Sequence, residues 1–276
     1  MSRLSKTVAK SPKLPNAPLA EVVFELRWKL AADDGGAPTI LADPGYRGCL
    51  DSFFGAAARL GYGVARRVSP GPFEIGHSVD YRFYKASDIR FPVLQLGPGI
   101  FAANESTGYS WTEYKTCCLD GIRALLDAYP KMKRFEFQPS QVQLKYIDAL
   151  KPRDGKSADY LEFLRVSTNI DVSIPDFLRD RKFGATESGR VEMAFPVSNM
   201  KQTSFAFAMA NGLVSDVPCI VLETVVTTKF PENRKAKFGV ESIGAWLERA
   251  HDLTSPFFKS VVKPSLMNEF LGGKDG

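Results

Sequence analysis

Only two histidines occur in the chain, His77 and His251, and what they could do bounds the chemistry open to the protein. A zinc or iron site needs several ligands converging from His, Cys, Asp or Glu at repeatable spacing. The two histidines lie in distant segments, and Cys49, Cys117, Cys118 and Cys219 all fall well away from both. No metal site and no cofactor is therefore expected. Phosphate cradles of the GxGxxG or GxxxxGK[ST] type are missing, and the glycine-bearing run SPGPFEIGH has neither the lysine nor the following helix that such a loop needs. The GxSxG elbow of serine hydrolases is missing too. What remains is a small set of polar residues: Lys145, Tyr146 and Asp148 in the run LKYID, and His251 in LERAHDLTSPFFKSVV.

These residues depend on two elements for their placement. QVQLKYIDAL alternates in polarity and reads as a strand, with Val142, Leu144, Tyr146 and Asp148 on one face. Lys145 falls on the other face with Gln141 and Gln143, a polar row suited to an exposed sheet surface or a ligand groove. Asp148 is costly to bury without a partner, so either the strand has emerged from the core there or Lys151, Arg153 or His251 answers its charge. On the C-terminal helix, Ile243, Trp246, Leu247, Ala250, Leu253, Phe257 and Val261 form one apolar stripe at helical spacing. His251 lies beside that stripe, as a boundary residue with its ring on apolar neighbours and one nitrogen free for a nearby acceptor. Asp252 points to solvent, and Pro256 predicts a bend.

Length and composition set the frame. With 276 residues, 44% hydrophobic, the chain can bury a large core. Its 20 Phe, 9 Tyr and 3 Trp favour sheet-rich packing. The net charge of +5 resides almost entirely in Arg3, Lys6, Lys10 and Lys13, which precede the first acidic residue. The body is near neutral, which argues against a non-specific duplex binder, since such proteins neutralise phosphates with a concentrated basic face. The opening MSRLSKTVAKSPK lacks the apolar run of a secretory signal, and no stretch approaches membrane-spanning length. The cysteines show no paired spacing and imply reduced thiols and a cytoplasmic setting.

Along the chain, a basic tail over 1–13 gives way to LAEVVFELRW, a half-buried strand. Tyr46 to Leu60 reads as a helix stopped by Gly61. VDYRFYKA, FPVLQL and IFAANE read as three strands, and the helix after them opens on a capping box formed by Ser110 and Glu113. The order then repeats: strand, short helix from near Ser157, three strands and a long helix. CIVLETVVTT, apolar on both faces except at Glu223, predicts an interior strand covered on both sides. The reading is an α+β fold with a mainly antiparallel sheet, long packed helices and a duplicated β-α-β-β-β-α unit. Its halves span 14–132 and 133–276.

Three segments carry a family resemblance. LPNAPLAEVVFELRW, VQLKYIDAL and LERAHDLTSPFFKSVV resemble a sporadically distributed family of bacterial proteins of similar length with no assigned function. The family's marks are a Pro-Asn-Ala-Pro element and a central Leu-Arg-Tyr-Ile-Asn run. Here Lys145 stands where arginine is expected and Asp148 where asparagine is expected, so a bidentate guanidinium contact is not carried over. The resemblance implies mobile genes, with a place in phage defence or toxin regulation.

The leading expectation for function is a non-enzymatic recognition or regulatory module. It would bind a protein partner or a small effector where the halves meet, through Lys145, Tyr146, Asp148 and His251. Two alternatives stand beside it. One is nucleic-acid binding through the basic N-terminal arm and the clusters KMKR (131–134), RDRK (179–182) and RKAK (234–237), with Phe135, Phe137, Phe183, Phe230 and Phe238 as stacking platforms. The other is an enzyme that uses the same junction residues as acid and base.

Overall fold

The computed structural model describes residues 14–32, 41–68, 77–106, 108–131, 137–151, 159–179, 184, 186, 188–214, 216–231 and 238–272. Its strands are β1 (Leu19–Trp28), β2 (Ala31–Ala32), β3 (Leu41–Ala42), β4 (Val64–Arg67), β5 (Tyr81–Lys85), β6 (Asp88–Gly97), β7 (Ile100–Glu105), β8 (Pro139–Leu150), β9 (Arg190–Pro196), β10 (Thr203–Val214) and β11 (Val217–Lys229). The helices are α1 (Tyr46–Arg59), α2 (Trp111–Ala128), α3 (Tyr160–Ser167), α4 (Val240–Val261) and α5 (Pro264–Phe270). The fold is α+β. Nine strands form one antiparallel sheet in the order β4-β5-β6-β7-β1-β8-β11-β10-β9.

The centre of the sheet is the β1–β8 pair, in which Phe24 stands opposite Leu144 and Val22 opposite Tyr146. Outward from that pair the order is β7, β6, β5 on one side and β11, β10, β9 on the other, with β4 added beyond β5. Alternation dictates which face is buried. Val22, Phe24, Leu26 and Trp28 of β1 are sealed, as are Val142 and Leu144 of β8. The helices cover this face. α1 contributes Tyr46, Cys49, Phe53 and Ala57, and it stops before Gly61, whose φ of 89° is the left-handed conformation glycine accepts without strain. α2 lies on β7 so closely that a Cβ at Gly121 would stand 2.5 Å from the Phe101 ring. α4 packs on α2, β8 and β11.

Two apolar clusters lie under the helices. The larger joins β1, β5–β8, α1, α2 and the first half of α4, whereas the smaller joins Leu150, Phe207, Met209 and Leu222 with α3, the end of α4 and α5. The larger cluster crosses position 132, because Val142, Leu144, Trp246 and Leu247 belong to it. The N-terminal segment ties the chain ends together: Asn16 donates from its backbone to the Phe270 carbonyl and from Nδ2 to the Glu269 carbonyl. The Pro18 carbonyl accepts from the Ala149 amide. This brings the Pro-Asn-Ala-Pro element against the end of LKYID.

Several local expectations are corrected. β4, sequence VARR, has no apolar alternation to announce it, and it pairs on β5 as an additional strand. Ser110 precedes α2 in an extended conformation but its side chain makes no capping bond. The cap of α3 is Asp159, whose carboxylate accepts from the Leu161 and Glu162 amides, and Ser157 lies outside the described residues. β11 is interior, but its residues alternate between buried and half-buried, so helices cover one face only. Pro256, where a bend is expected, is carried inside α4, which continues to Val261.

Candidate functional site

Tyr146 projects from β8 toward the helices. Its hydroxyl lies 2.9 Å from that of Tyr109, in the segment leading into α2, and 3.0 Å from Nδ1 of His251 on α4. The imidazole stacks on Trp111, with ring centroids 4.0 Å apart and planes 11° from parallel. Trp111 donates its indole N–H to Glu248 Oε2 at 3.0 Å, and Lys115 pairs with the other oxygen of the same carboxylate. Tyr109, Tyr146, His251, Trp111 and Glu248 thus form one connected network along the α2–α4 seam. Tyr109, Trp111 and Glu248 were not singled out by sequence. The available signal was that Glu248 and His251 share a helix face.

The electrostatics favour neutral forms at Tyr109, Tyr146 and His251, whereas the bonds from Lys115 and Trp111 hold Glu248 as a carboxylate. Burial raises the phenols of Tyr109 and Tyr146 above the usual tyrosine range, and burial lowers His251 against smaller opposing effects from Asp252 and Glu248. At neutral pH the relay is therefore phenol, phenol and imidazole. Cys117 and Cys118 are raised by burial, and Cys49 is pushed up to about 12. None of these groups is primed as a nucleophile, which would require a depressed pKa. Among the described residues no three His, Cys, Asp or Glu converge to hold a metal ion.

Asp148 differs from its neighbours. It is 6% exposed, between Leu19 and Leu222 on the flanking strands and between Tyr146 and Leu150 along its own. No hydrogen bond or ion pair to a described residue answers its carboxyl, and desolvation pushes its pKa up to about 7. The expected partners Lys151 and His251 do not bond to it, and Arg153 lies outside the described residues. A solvated strand end is likewise ruled out by the burial. Every fully enclosed side-chain nitrogen or oxygen described has a hydrogen-bond partner. The unpaired carboxyl oxygens of Asp148 therefore retain a trace of solvent access.

Lys145 lies on the opposite, helix-free face and does not join Tyr146, Asp148 and His251. It is half-buried between Val23 and Val225. The same face carries a side-chain ladder across four strands: Arg82 to Gln95 at 3.1 Å, Gln95 to Asn104 at 2.6 Å and Asn104 to Glu21 at 2.6 Å.

Among the described residues, the stacking platforms expected for nucleic acid, Phe137, Phe230 and Phe238, are not free. Phe137 packs on Trp28, Tyr129 and Phe238, and Phe230 packs on Phe238. Phe135 and Phe183 lie outside the described residues, as do most of the three basic clusters. No helix among the described residues is long and apolar enough to cross a membrane. No protein-family model, curated protein or solved structure matches the chain.

Proposed function

We propose that the protein is a non-enzymatic recognition or regulatory module that binds a small effector, or a side chain of a protein partner, where β8 meets α4. The observation that carries this reading is the Asp148 carboxyl, buried, unanswered and retaining slight access, one strand position-pair from Tyr146 and its bond to His251. An isolated buried carboxylate is costly, and a cationic or hydrogen-bond-donating group would remove that cost on binding. The neutral relay beside it supplies oriented hydroxyls and no activated nucleophile, which suits holding a ligand better than transforming it.

Around that reading stand its companions. The three segments that resemble the sporadic bacterial family converge on this seam, which supports membership of that family and a cytoplasmic role in phage defence or toxin regulation. The matching order of strands outward from β1 and β8 supports descent by duplication. Native mass spectrometry of the protein purified from its own host tests the binding reading. The expected result is a bound mass that is lost in Asp148→Asn and kept in Lys145→Ala. Equal occupancy in both variants would overturn it.

A further inference from the structure

The two ends of the large sheet are finished differently. β5 and β9 stand at the same distance from the central β1–β8 pair. The outer edge of β5 is closed by β4, and its Phe83 is sealed under Phe53 and Phe54 of α1. No described strand pairs with the outer edge of β9, where Met193 and Phe195 remain 47% and 48% exposed. These side chains continue the apolar layer formed by Phe205, Phe207 and Phe257, since Phe195 stands opposite Phe205 and Met193 opposite Phe207. The layer therefore runs out to the edge of the sheet and stops there uncovered.

The ladder shows which backbone groups are available at that edge. Val197 donates to the Thr203 carbonyl, and Lys229 donates to Gln202 on the other side of β10. Hydrogen-bonded pairs alternate along an antiparallel ladder, so Val191, Met193 and Phe195 bond inward to β10. Arg190, Glu192, Ala194 and Pro196 point their backbone groups outward.

We propose that this edge is an interface with a second copy of the chain, β9 pairing antiparallel with its twofold mate about an axis at Met193. In that register Glu192 stands opposite Ala194 of the other copy, and their outward amides and carbonyls meet. Met193 faces Met193, and Val191 faces Phe195, which extends the apolar layer without interruption between the two sets of helices. Each Glu192 is already paired with its own Arg190 at 2.9 Å, so the carboxylates that come diagonal to each other across the axis are compensated. Neighbouring registers are worse. Centring on Glu192 sets like charges face to face, and centring on Ala194 leaves Arg190 and Val191 beyond the end of the other copy's β9, whereas the Met193 register pairs the strand along its whole length.

Sedimentation of the full chain over a concentration series tests this, together with cysteine trapping. The wild type is expected to double its apparent mass as concentration rises, and Ala194→Pro, which removes an outward amide from an exposed position, is expected to remain a monomer. Facing residues of a non-hydrogen-bonded pair sit about 4.5 Å apart at Cα, within disulfide reach. Met193→Cys should therefore crosslink on oxidation, whereas Val191→Cys, whose mate is Phe195, and the wild type should not. A chain that stays monomeric throughout, including one that accepts only a foreign extended peptide at this edge, overturns the proposal. So does a dimer that Ala194→Pro leaves intact and Met193→Cys does not trap.

Discussion

The Tyr146 hydroxyl and Nδ1 of His251 lie 3.0 Å apart, linking the central strand of the sheet to the helix that crosses it. Because the same hydroxyl also meets Tyr109 at 2.9 Å, its removal disturbs two contacts at once. The imidazole adds a face-to-face stack on Trp111, so the seam between α2 and α4 depends on both residues.

Tyr146→Phe should cost about 1–3 kcal/mol of stability, since it strands partners of a part-buried hydroxyl. His251→Ala should cost roughly 2 kcal/mol through the lost bond and stack. The two are in contact, so the double variant should lose less than the sum, with a coupling of about 1 kcal/mol. Urea unfolding of the four proteins measures it. Strict additivity would mean that the contact carries no energy.

Asp43 should be far less tolerant of change. It is buried and accepts from Trp28 Nε1 and Gly99 N on one oxygen, and from Gly45 N and the Tyr129 hydroxyl on the other. Asp43→Ala leaves all four donors unanswered in a sealed site and should cost about 3 kcal/mol or more. Asp43→Asn keeps one good acceptor and should fall between that variant and wild type. Thermal melts of both variants give the ranking, and a loss below about 1 kcal/mol for Asp43→Ala would contradict the hub.

The contrast between these sites shows what a linear chain discloses. Periodicity exposed β1, β8 and the stripe of α4, because burial on one face forces alternation or helical spacing into the local sequence. VARR has no such imprint, and β4 exists because β5 offers it an edge. Asp43 reads as an ordinary loop residue, since its role arises only when Trp28, Gly99 and Tyr129 arrive from separate elements. The burial of Asp148 is another tertiary fact. Its place on the Tyr146 face could be read from period two, whereas the absence of an answering charge could not. The Ser110 and Glu113 pattern erred in the opposite direction, fitting the spacing of a capping box without the bond.

His251 should titrate below a free imidazole. Burial is the main cause, and the flanking Asp252 and Glu248 oppose it only in part. A depressed folded pKa stabilises the neutral form, so this contribution to stability is present above the unfolded value and is lost as pH falls through the folded one. The chain has two histidines, so a ring-proton NMR titration with His77→Gln identifies the signal. A midpoint at or above that of a free imidazole would contradict the buried stack.

Asp148 should impose the opposite slope. Its carboxyl is raised by burial to about 7, against roughly 3.9 in an unfolded chain. A raised acid favours the protonated fold, so its stabilising effect is complete below the unfolded value, declines as pH rises between about 4 and 7, and is gone above that window. At about 1.4 kcal/mol per unit, the loss is on the order of 4 kcal/mol as an upper bound, because the site keeps a trace of water. Asp148→Asn cannot ionise and keeps nearly the same volume. It should therefore melt higher than wild type at pH 8, converge with it near pH 4, and show a flatter stability profile between. Tyr109, Tyr146 and His251 remain in both proteins, so the difference between the two curves isolates the carboxyl. Parallel curves across this range would mean that a partner answers the charge of Asp148 in solution, and the ligand site proposed at the seam would lose its anchor.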